Sequence, residues 1–282
     1  MRGETAFIPA GRAPLAVVLG TNDVASAVGR ALFLHGYGVV LSRDPAQPVL
    51  RRTLAYDDAL LAGRVSFEGV DARAAGSLVE ILNACTDRSA LCVTVLELGE
   101  LLCLGLIDVL VDARMRMHTL KVDIRPFGRA TVGLGPGFVA GRHVDVAIET
   151  APEAIGMLRA GATRAAHGRS TPLSGAGRER FARAPQGGFW ATGHVIGQAV
   201  AAGEVVGRCG GTPVRAPLTG HVRGLVRDGI DVPQDLKLVE VDPAREGPPS
   251  WIGLAERPRR IADAVLEAVA HLSAARPMGA RH

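Results

Sequence analysis

The chain has 282 residues, 48% of them hydrophobic, which is enough to form the core of one large or two modest domains without disulfide bonds. The net charge is +4, aromatic residues make up 4%, and no basic stripe is interleaved with aromatic residues, which argues against a nucleic-acid-binding protein. No signal-peptide core precedes Pro14 and no apolar run reaches about 18 residues, so we expect a cytoplasmic protein that makes no membrane contact.

The first predicted elements form a βαβ unit. Leu15–Leu19 is an uninterrupted apolar run, which is typical of a strand buried on both faces. After Gly20 a helical apolar pattern runs through Ala27, Val28, Ala31, Leu32 and His35, and a second short apolar run occupies residues 39–41. This order predicts two parallel strands joined by a helix.

Alternating predicted strands and helices continue to about residue 160. The sequence predicts a helix over 74–85 and strands over 91–96, 109–112, 130–133 and 144–148. Alternating strands and helices indicate a Rossmann-like, mostly parallel α/β sheet, so we predict a ligand-binding domain over 1–160. A Gly-, Ser- and Pro-rich stretch over 161–180 is predicted to be a linker.

An internal repeat follows the linker. Arg183-Ala-Pro-x-x-Gly188 recurs 32 residues later as Arg215-Ala-Pro-x-x-Gly220. Two similar β halves predict a small sandwich over 181–245, of the barrel-sandwich hybrid type found in biotinyl and lipoyl domains. The predicted hairpin over 207–211 has no lysine, so it cannot carry an attached biotinyl or lipoyl group. A tail over 246–282 contains a closing amphipathic helix over 261–272.

The first glycine loop is a candidate anion site. Gly20 ends a predicted strand and precedes a helix, whose free N–H groups and dipole favour a phosphate. The loop departs from the dinucleotide pattern G-x-G-x-x-G, because Asn22 stands at the second glycine. We expect Gly20, Asn22 and Asp23 to contact a ligand; the alternatives are a purely structural turn and an N-cap role for Asp23.

The second loop contains Gly133, Gly135 and Gly137 directly after an apolar strand. This density of glycine permits positive φ angles and a concave set of backbone N–H groups, so we expect it to bind an anion or nucleotide, with a bare tight turn as the alternative. Asp112 ends a neighbouring strand and is predicted either to accept a hydrogen bond from a ribose or pterin or to cap a helix.

Arg51 and Arg52 are adjacent and are predicted either to bind a phosphate or carboxylate or to form a solvated charge pair. The four cysteines show no C-x-x-C pair and the histidines are scattered, so no directly ligated metal is expected. No catalytic residue can be proposed from spacing.

The segments Gly20-x-x-Asp-Val-Ala-Ser26, Val132-Gly-Leu-Gly-Pro-Gly-Phe-x-Ala-Gly141 and Arg223-Gly-Leu-Val-Arg-Asp-Gly229 occur in this order. They resemble the YqeB-type accessory proteins of selenium-dependent molybdenum hydroxylases, which are related to the XdhC/CoxF maturation factors. The resemblance extends over nearly the whole chain. The chain departs from the family pattern at Asn22, at Ala27 and in the stretch after Ala113.

The resemblance implies a maturation factor that inserts or finishes the cofactor of a partner, either a molybdenum-dependent hydroxylase or another cofactor-receiving enzyme. On this view the two glycine loops hold a molybdopterin-type cofactor or a (di)nucleotide, and Arg51 and Arg52 supply positive charge. Two alternatives remain: an NAD(P)-binding oxidoreductase, and a diverged paralogue that acts as a scaffold in another cofactor pathway. The sequence leaves catalysis and homo-oligomer formation open.

Overall fold

The computed structural model describes residues 13–117, 119–165 and 171–275, which form two compact units. Within the described residues, the first unit comprises 13–45, 55–165 and 254–275, and the second comprises 46–54 and 171–253. The first unit is therefore assembled from three stretches of chain. Among the described residues, no helix is both long enough and apolar enough to span a membrane.

The first unit is a mixed α/β structure. Its helices are α1 (Asp23–Leu34), α2 (Ala59–Ala62), α3 (Leu78–Asp87), α4 (Leu98–Leu101) and α5 (Glu256–Ala275). Its strands are β1 (Leu15–Leu19), β2 (Gly38–Ser42), β3 (Arg64–Phe67), β4 (Val70–Ala74), β5 (Leu91–Thr94), β6 (Val109–Asp112), β7 (Ala130–Leu134), β8 (Val139–Ala140), β9 (Val146–Glu149), β10 (Gly156–Leu158) and β11 (Gly161–Ala162).

One sheet organises the first unit. Its strand order is β10-β9-β7-β6-β1-β2-β5-β4-β3, and every neighbouring pair is parallel except those formed by the edge strands β3 and β10. The chain winds from β1 outward through β2 and β5, and then from β6 outward through β7 and β9. The winding reverses between β1 and β6, which makes the carboxyl ends of these two strands a topological switch point.

Apolar side chains on both faces of the sheet explain the uninterrupted apolar runs in the sequence. In β1, Val18 packs into one cluster with residues of α1 and α5, whereas Val17 packs into another with residues of α3. Both side chains are completely buried. Because successive strand residues point to opposite faces, a sheet covered on both sides requires an apolar residue at every position.

Most predicted elements of the first unit are confirmed, but the structure also contains short elements that were not predicted, namely α2, α4, β8, β10 and β11. The helix predicted over 74–85 begins later, at Leu78, because Ser77 accepts a hydrogen bond from the Glu80 N–H and caps the helix. The antiparallel hairpin β3–β4 was not predicted, and β4 joins the sheet beside β5. The closing helix is confirmed and runs from Glu256 to Ala275.

The second unit consists of two four-stranded sheets whose paired strands are all antiparallel. The strands are β12 (Phe181–Arg183), β13 (Gly188–Ala191), β14 (Ala199–Val200), β15 (Val205–Cys209), β16 (Thr212–Arg215), β17 (Gly220–Leu225), β18 (Ile230–Val232) and β19 (Lys237–Asp242). One sheet has the order β12-β19-β17-β14 and the other β16-β15-β13-β18.

The sequence repeat corresponds to a structural repeat in this unit. Arg183 and Arg215 end β12 and β16, and the repeated glycines, Gly188 and Gly220, begin β13 and β17. In each half the chain passes from one sheet to the other at the Ala-Pro corner between these strands. The two halves therefore contribute strands to both sheets, and neither half has a separate core.

Candidate functional site

The carboxyl ends of β1, β2, β5 and β6 lie side by side in the first unit. Residues at or just after these ends line a cleft of about 420 Å³. Polar and charged residues at the cleft are Ser42, Arg43, Asp44, Glu97, Arg114 and Arg116, and apolar ones include Leu19, Leu98, Val122, Ile124 and Phe127. This is the sheet edge at which α/β proteins of this topology bind ligands.

Two arginines in the loop after β6 are held by buried carboxylates. Arg114 donates through Nε and Nη2 to Asp112, at 3.0 and 2.5 Å. Arg116 donates through Nε to Asp44 at 2.8 Å and through Nη2 to its other oxygen. No described residue accepts a hydrogen bond from Nη1 of either arginine. Each guanidinium is therefore fixed along one edge and has donors left for a ligand in the cleft.

A smaller cavity of about 90 Å³ adjoins this pair of arginines and includes Asp112 and Lys121. Lys121 donates to the backbone oxygen of Arg116 at 2.7 Å, and its ammonium lies 4.6 Å from the centre of the Phe138 ring. Burial lowers the pKa of Lys121, whereas the hydrogen bond to Asp44 raises the pKa of Arg116. Four cationic residues (Arg43, Arg114, Arg116 and Lys121) and three acidic residues (Asp44, Glu97 and Asp112) thus line the two cavities.

The first glycine loop lies at the switch point. Gly20 has a φ of +116°, and a Cβ there would lie 3.1 Å from the backbone oxygen of Ala113, so glycine is required by close approach of the two loops. The N-cap of α1 is Asn22 rather than Asp23. The Asn22 side chain accepts from the N–H groups of Val24 and Ala25, each at 3.0 Å, and donates to the Ala113 oxygen at 2.9 Å.

The second glycine loop is stabilised by side chains packed around it. A Cβ at Gly133 would lie 2.4 Å from the Phe138 ring, and one at Gly135, where φ is +92°, would lie 3.2 Å from Met115 Sδ. Gly137 also has a positive φ, of +82°. None of the three is among the described residues that line the cleft. Their predicted role as backbone donors to a ligand stays a prediction.

Thr163 connects the two ends of this loop. Its hydroxyl accepts from the Phe138 N–H at 3.0 Å and donates to the Gly135 oxygen at 2.8 Å, and the residue is buried. We expect Thr163→Val to lower the free energy of unfolding of the first unit by about 1–3 kcal/mol, because it leaves buried backbone groups without partners. The measurement is urea unfolding followed by helical circular dichroism, since every described α-helix belongs to the first unit.

Thr163→Ser is the matched control for this prediction, because it keeps the hydroxyl and removes only a methyl group. A Val variant as stable as the Ser variant would show that the hydroxyl does not stabilise the loop.

The structure places Arg51 and Arg52 in the second unit. Arg51 donates through Nε to Glu240 at 2.7 Å, and Arg52 donates to the backbone oxygen of Leu225 at 2.9 Å. Arg180 and Arg223 also contact Glu240, at 2.9 and 3.0 Å. These contacts join the 46–54 segment to strands of the same unit, whereas the other predicted site residues belong to the first unit.

Asp112 and Asp23 also have local contacts that the sequence did not indicate. Asp112 is 6% exposed and accepts two hydrogen bonds from the Arg114 side chain and one from its backbone, so it orients that guanidinium. Asp23 is the first residue of α1 and brings a carboxylate to the start of the helix. Among the described residues, no group of three or more His, Cys, Asp or Glu side chains could hold a metal ion.

Sequence reasoning missed the charged residues that line the cleft, including Arg43, Asp44 and Glu97. Arg43 and Asp44 are the first and second residues after β2, and Glu97 is the third residue after β5. The position of a charged residue just after a predicted strand was the available signal, because the carboxyl ends of parallel strands meet at one edge.

Comparison with known proteins gives one informative relative. No family model matches the chain. The chain is 32% identical over 261 residues to the uncharacterized protein YqeB of Escherichia coli (strain K12), a match that covers 90% of this chain and 47% of that protein. The chain therefore spans about half the length of this relative.

Similar solved structures are distant. An aspartoacylase family protein from Mesorhizobium loti is 12% identical, with 81% of this chain and 85% of that chain covered and a TM-score of 0.25. The apo form of the ectoine utilization protein EutE from Ruegeria pomeroyi is also 12% identical, with 82% and 86% covered and a TM-score of 0.24. Similarity this low supports no conclusion about fold or function.

Proposed function

We propose that this protein is an accessory factor for a molybdenum-cofactor-dependent hydroxylase, and that it binds a nucleotide or molybdopterin-type cofactor at the carboxyl edge of its parallel sheet. The biological setting comes from the family resemblance of the glycine-rich motifs. The similarity to YqeB along 90% of the chain supports that resemblance. The binding role is supported by the cleft itself.

The observation that carries the proposal is the pair of oriented guanidinium groups of Arg114 and Arg116. Each is held along one edge by a carboxylate of at most 9% side-chain exposure, while the arginine side chains are 29% and 24% exposed. A guanidinium fixed in this way loses little further freedom when it binds a phosphate. Both arginines line the cleft, so a phosphate could contact both.

The rest of the cleft suits the organic part of such a ligand. Its volume of about 420 Å³ lies within the range of small-molecule and cofactor sites, roughly 300–1,000 Å³. Apolar side chains such as Val122 and Phe127 provide a surface for a planar ring. Glu97 is an exposed residue of the cleft lining and can accept hydrogen bonds from ring N–H groups, which both pterins and guanine carry.

For the second unit we propose a barrel-sandwich hybrid of the biotinyl/lipoyl type that carries no attached group. The two interleaved halves and the two four-stranded sheets support this assignment. Strands β15 and β16 are joined by Gly210 and Gly211, and no lysine is available in this turn for an amide link. Cys209 beside the turn is fully buried, and its thiol donates to the backbone oxygen of Gln186 at 3.2 Å.

The proposal is tested by the pterin content of the protein purified from molybdate-supplied cells. Bound pterin is oxidised to a fluorescent product and measured per chain. We expect substoichiometric to stoichiometric pterin in the parent protein and a large loss in the Asp112→Asn/Arg114→Met double variant, which removes an ion pair without leaving a buried charge. Absence of pterin from the parent protein, or equal pterin in a well-folded double variant, would contradict the proposal.

A further inference from the structure

Dinucleotides bind to sheets of this topology by a specific arrangement at the first strand-to-helix turn. The pyrophosphate lies on the free N–H groups at the helix N-terminus, and a glycine at the second position of the fingerprint lets the backbone approach it. An acidic residue after the second strand then accepts a hydrogen bond from the ribose. In this protein each of these three positions is already engaged within the chain.

At the helix N-terminus, two of the backbone donors are taken by Asn22. Its side-chain oxygen accepts from the Val24 and Ala25 N–H groups at 3.0 Å, so a pyrophosphate would have to displace this cap. Asp23, the first residue of the helix, adds a carboxylate where an anionic ligand would lie. The electrostatic preference of this helix N-terminus for an anion is therefore already met by the chain itself.

The crevice at the switch point is also bridged. The Asn22 side-chain amide donates to the Ala113 oxygen at 2.9 Å and so connects the loop after β1 to the loop after β6. Gly20 brings the same two loops together, since a Cβ there would lie 3.1 Å from that oxygen. A ligand spanning the crevice between β1 and β6 would meet this hydrogen bond.

After the second strand, the candidate ribose acceptor is Asp44. It is 7% exposed, and both of its carboxylate oxygens accept from Arg116. The same contact that orients Arg116 toward the cleft thus engages both oxygens of the carboxylate that a dinucleotide ribose would use as its acceptor.

We propose that Asn22 is a specificity-determining residue that excludes dinucleotides, and that the ligand class is a planar heterocycle carrying a phosphate monoester, bound through Arg114 and Arg116. This inference rests on the proposed function and restricts its ligand. It predicts that selectivity against dinucleotides, which contain a bridging pyrophosphate, depends on the side chain of Asn22, which also caps α1.

The test is isothermal titration of the full-length protein with GMP and with NAD⁺, comparing the parent with Asn22→Gly and Asn22→Ser. Glycine at an N-cap costs only a few tenths of a kcal/mol and opens the crevice, whereas serine caps the helix but cannot form the bridge to Ala113. Helical circular dichroism establishes that each variant is folded.

We expect the parent to bind GMP about tenfold or more tightly than NAD⁺, a difference of about 1.4 kcal/mol. Asn22→Gly should bind NAD⁺ about tenfold more tightly than the parent, while its GMP affinity stays within about threefold of the parent value. The NAD⁺ affinity of Asn22→Ser should lie between those of the parent and Asn22→Gly. Equal affinities of the parent for both ligands, or an unchanged NAD⁺ affinity in folded Asn22→Gly, would overturn the inference. If the parent binds neither ligand but Asn22→Gly gains NAD⁺ binding, the proposed function fails and the role of Asn22 stands.

Discussion

Replacing Glu240 with glutamine is expected to lower the free energy of unfolding of the second unit by about 3–5 kcal/mol. Glu240 is completely buried and accepts hydrogen bonds from Arg51, Arg180 and Arg223. Removal of its charge leaves buried guanidinium groups without their counterion. Denaturant unfolding followed by tryptophan fluorescence measures this effect, because both tryptophans of the chain lie in the second unit.

The pH dependence of the same variant provides an internal check. Burial opposes ionisation of Glu240, but Arg51, Arg223 and Arg180 outweigh it and lower its pKa from 4.5 to about 2. A group whose pKa is lower in the folded state stabilises the protein at pH values above its unfolded-state pKa. That contribution is lost as pH falls through the folded-state pKa. The stability difference between parent and variant should therefore shrink between pH 5 and about 2.

Glu246→Gln, at an exposed position of the same unit, is the control and should leave stability nearly unchanged. A Glu240→Gln protein as stable as this control at pH 7 would show that the arginine contacts make no net contribution to the free energy of unfolding.

Replacing Gly133 with alanine is expected to destabilise the first unit by about 1–3 kcal/mol, or more if the sheet cannot adjust. The added Cβ would lie 2.4–2.8 Å from three atoms of the Phe138 ring, which is itself 1% exposed. Helical circular dichroism during urea unfolding measures the change. Phe138→Leu in the same chain should recover part of the loss, because a smaller side chain relieves the overlap.

Gly99→Ala is the matched control for this prediction. Gly99 lies in helix α4 and has open space around its Cβ position. The Gly99→Ala protein should therefore be as stable as the parent or slightly more stable. If Gly133→Ala changes the free energy of unfolding no more than Gly99→Ala does, the second glycine loop is free to rearrange. Its glycines are then better explained by ligand contact.

The parallel sheet was predictable because its strands are buried on both faces. In β1, β6 and β7 every residue is buried, so the apolar runs stand out from the sequence. The hairpin β3–β4 was not predictable on this basis, because Arg64 and Ser66 are exposed on its edge strand and break the apolar pattern.

The candidate site was only partly predictable, for a physical reason that glycine illustrates. A glycine can be required by a ligand, by a positive φ or by a neighbouring side chain, and the sequence does not distinguish these causes. At Gly133 the neighbour is Phe138, five residues along the chain, whereas at Gly20 it is the backbone of Ala113, far away in sequence. The assignment of Arg51 to the second unit likewise depends on its contact with Glu240, which lies 189 residues away.

The most direct test of the account is titration of the parent protein and of Asp44→Asn/Arg116→Met with GMP, with guanosine as the ligand that lacks the phosphate. The parent should bind GMP and bind guanosine more weakly. The double variant should lose about tenfold or more in GMP affinity, since a charge-assisted hydrogen bond contributes about 1.5–3 kcal/mol. Arg142→Met, at an exposed position of the same unit, should bind GMP as the parent does. Equal GMP and guanosine affinities, or an unchanged GMP affinity in the folded double variant, would contradict the claim that oriented arginines at this sheet edge bind a phosphate.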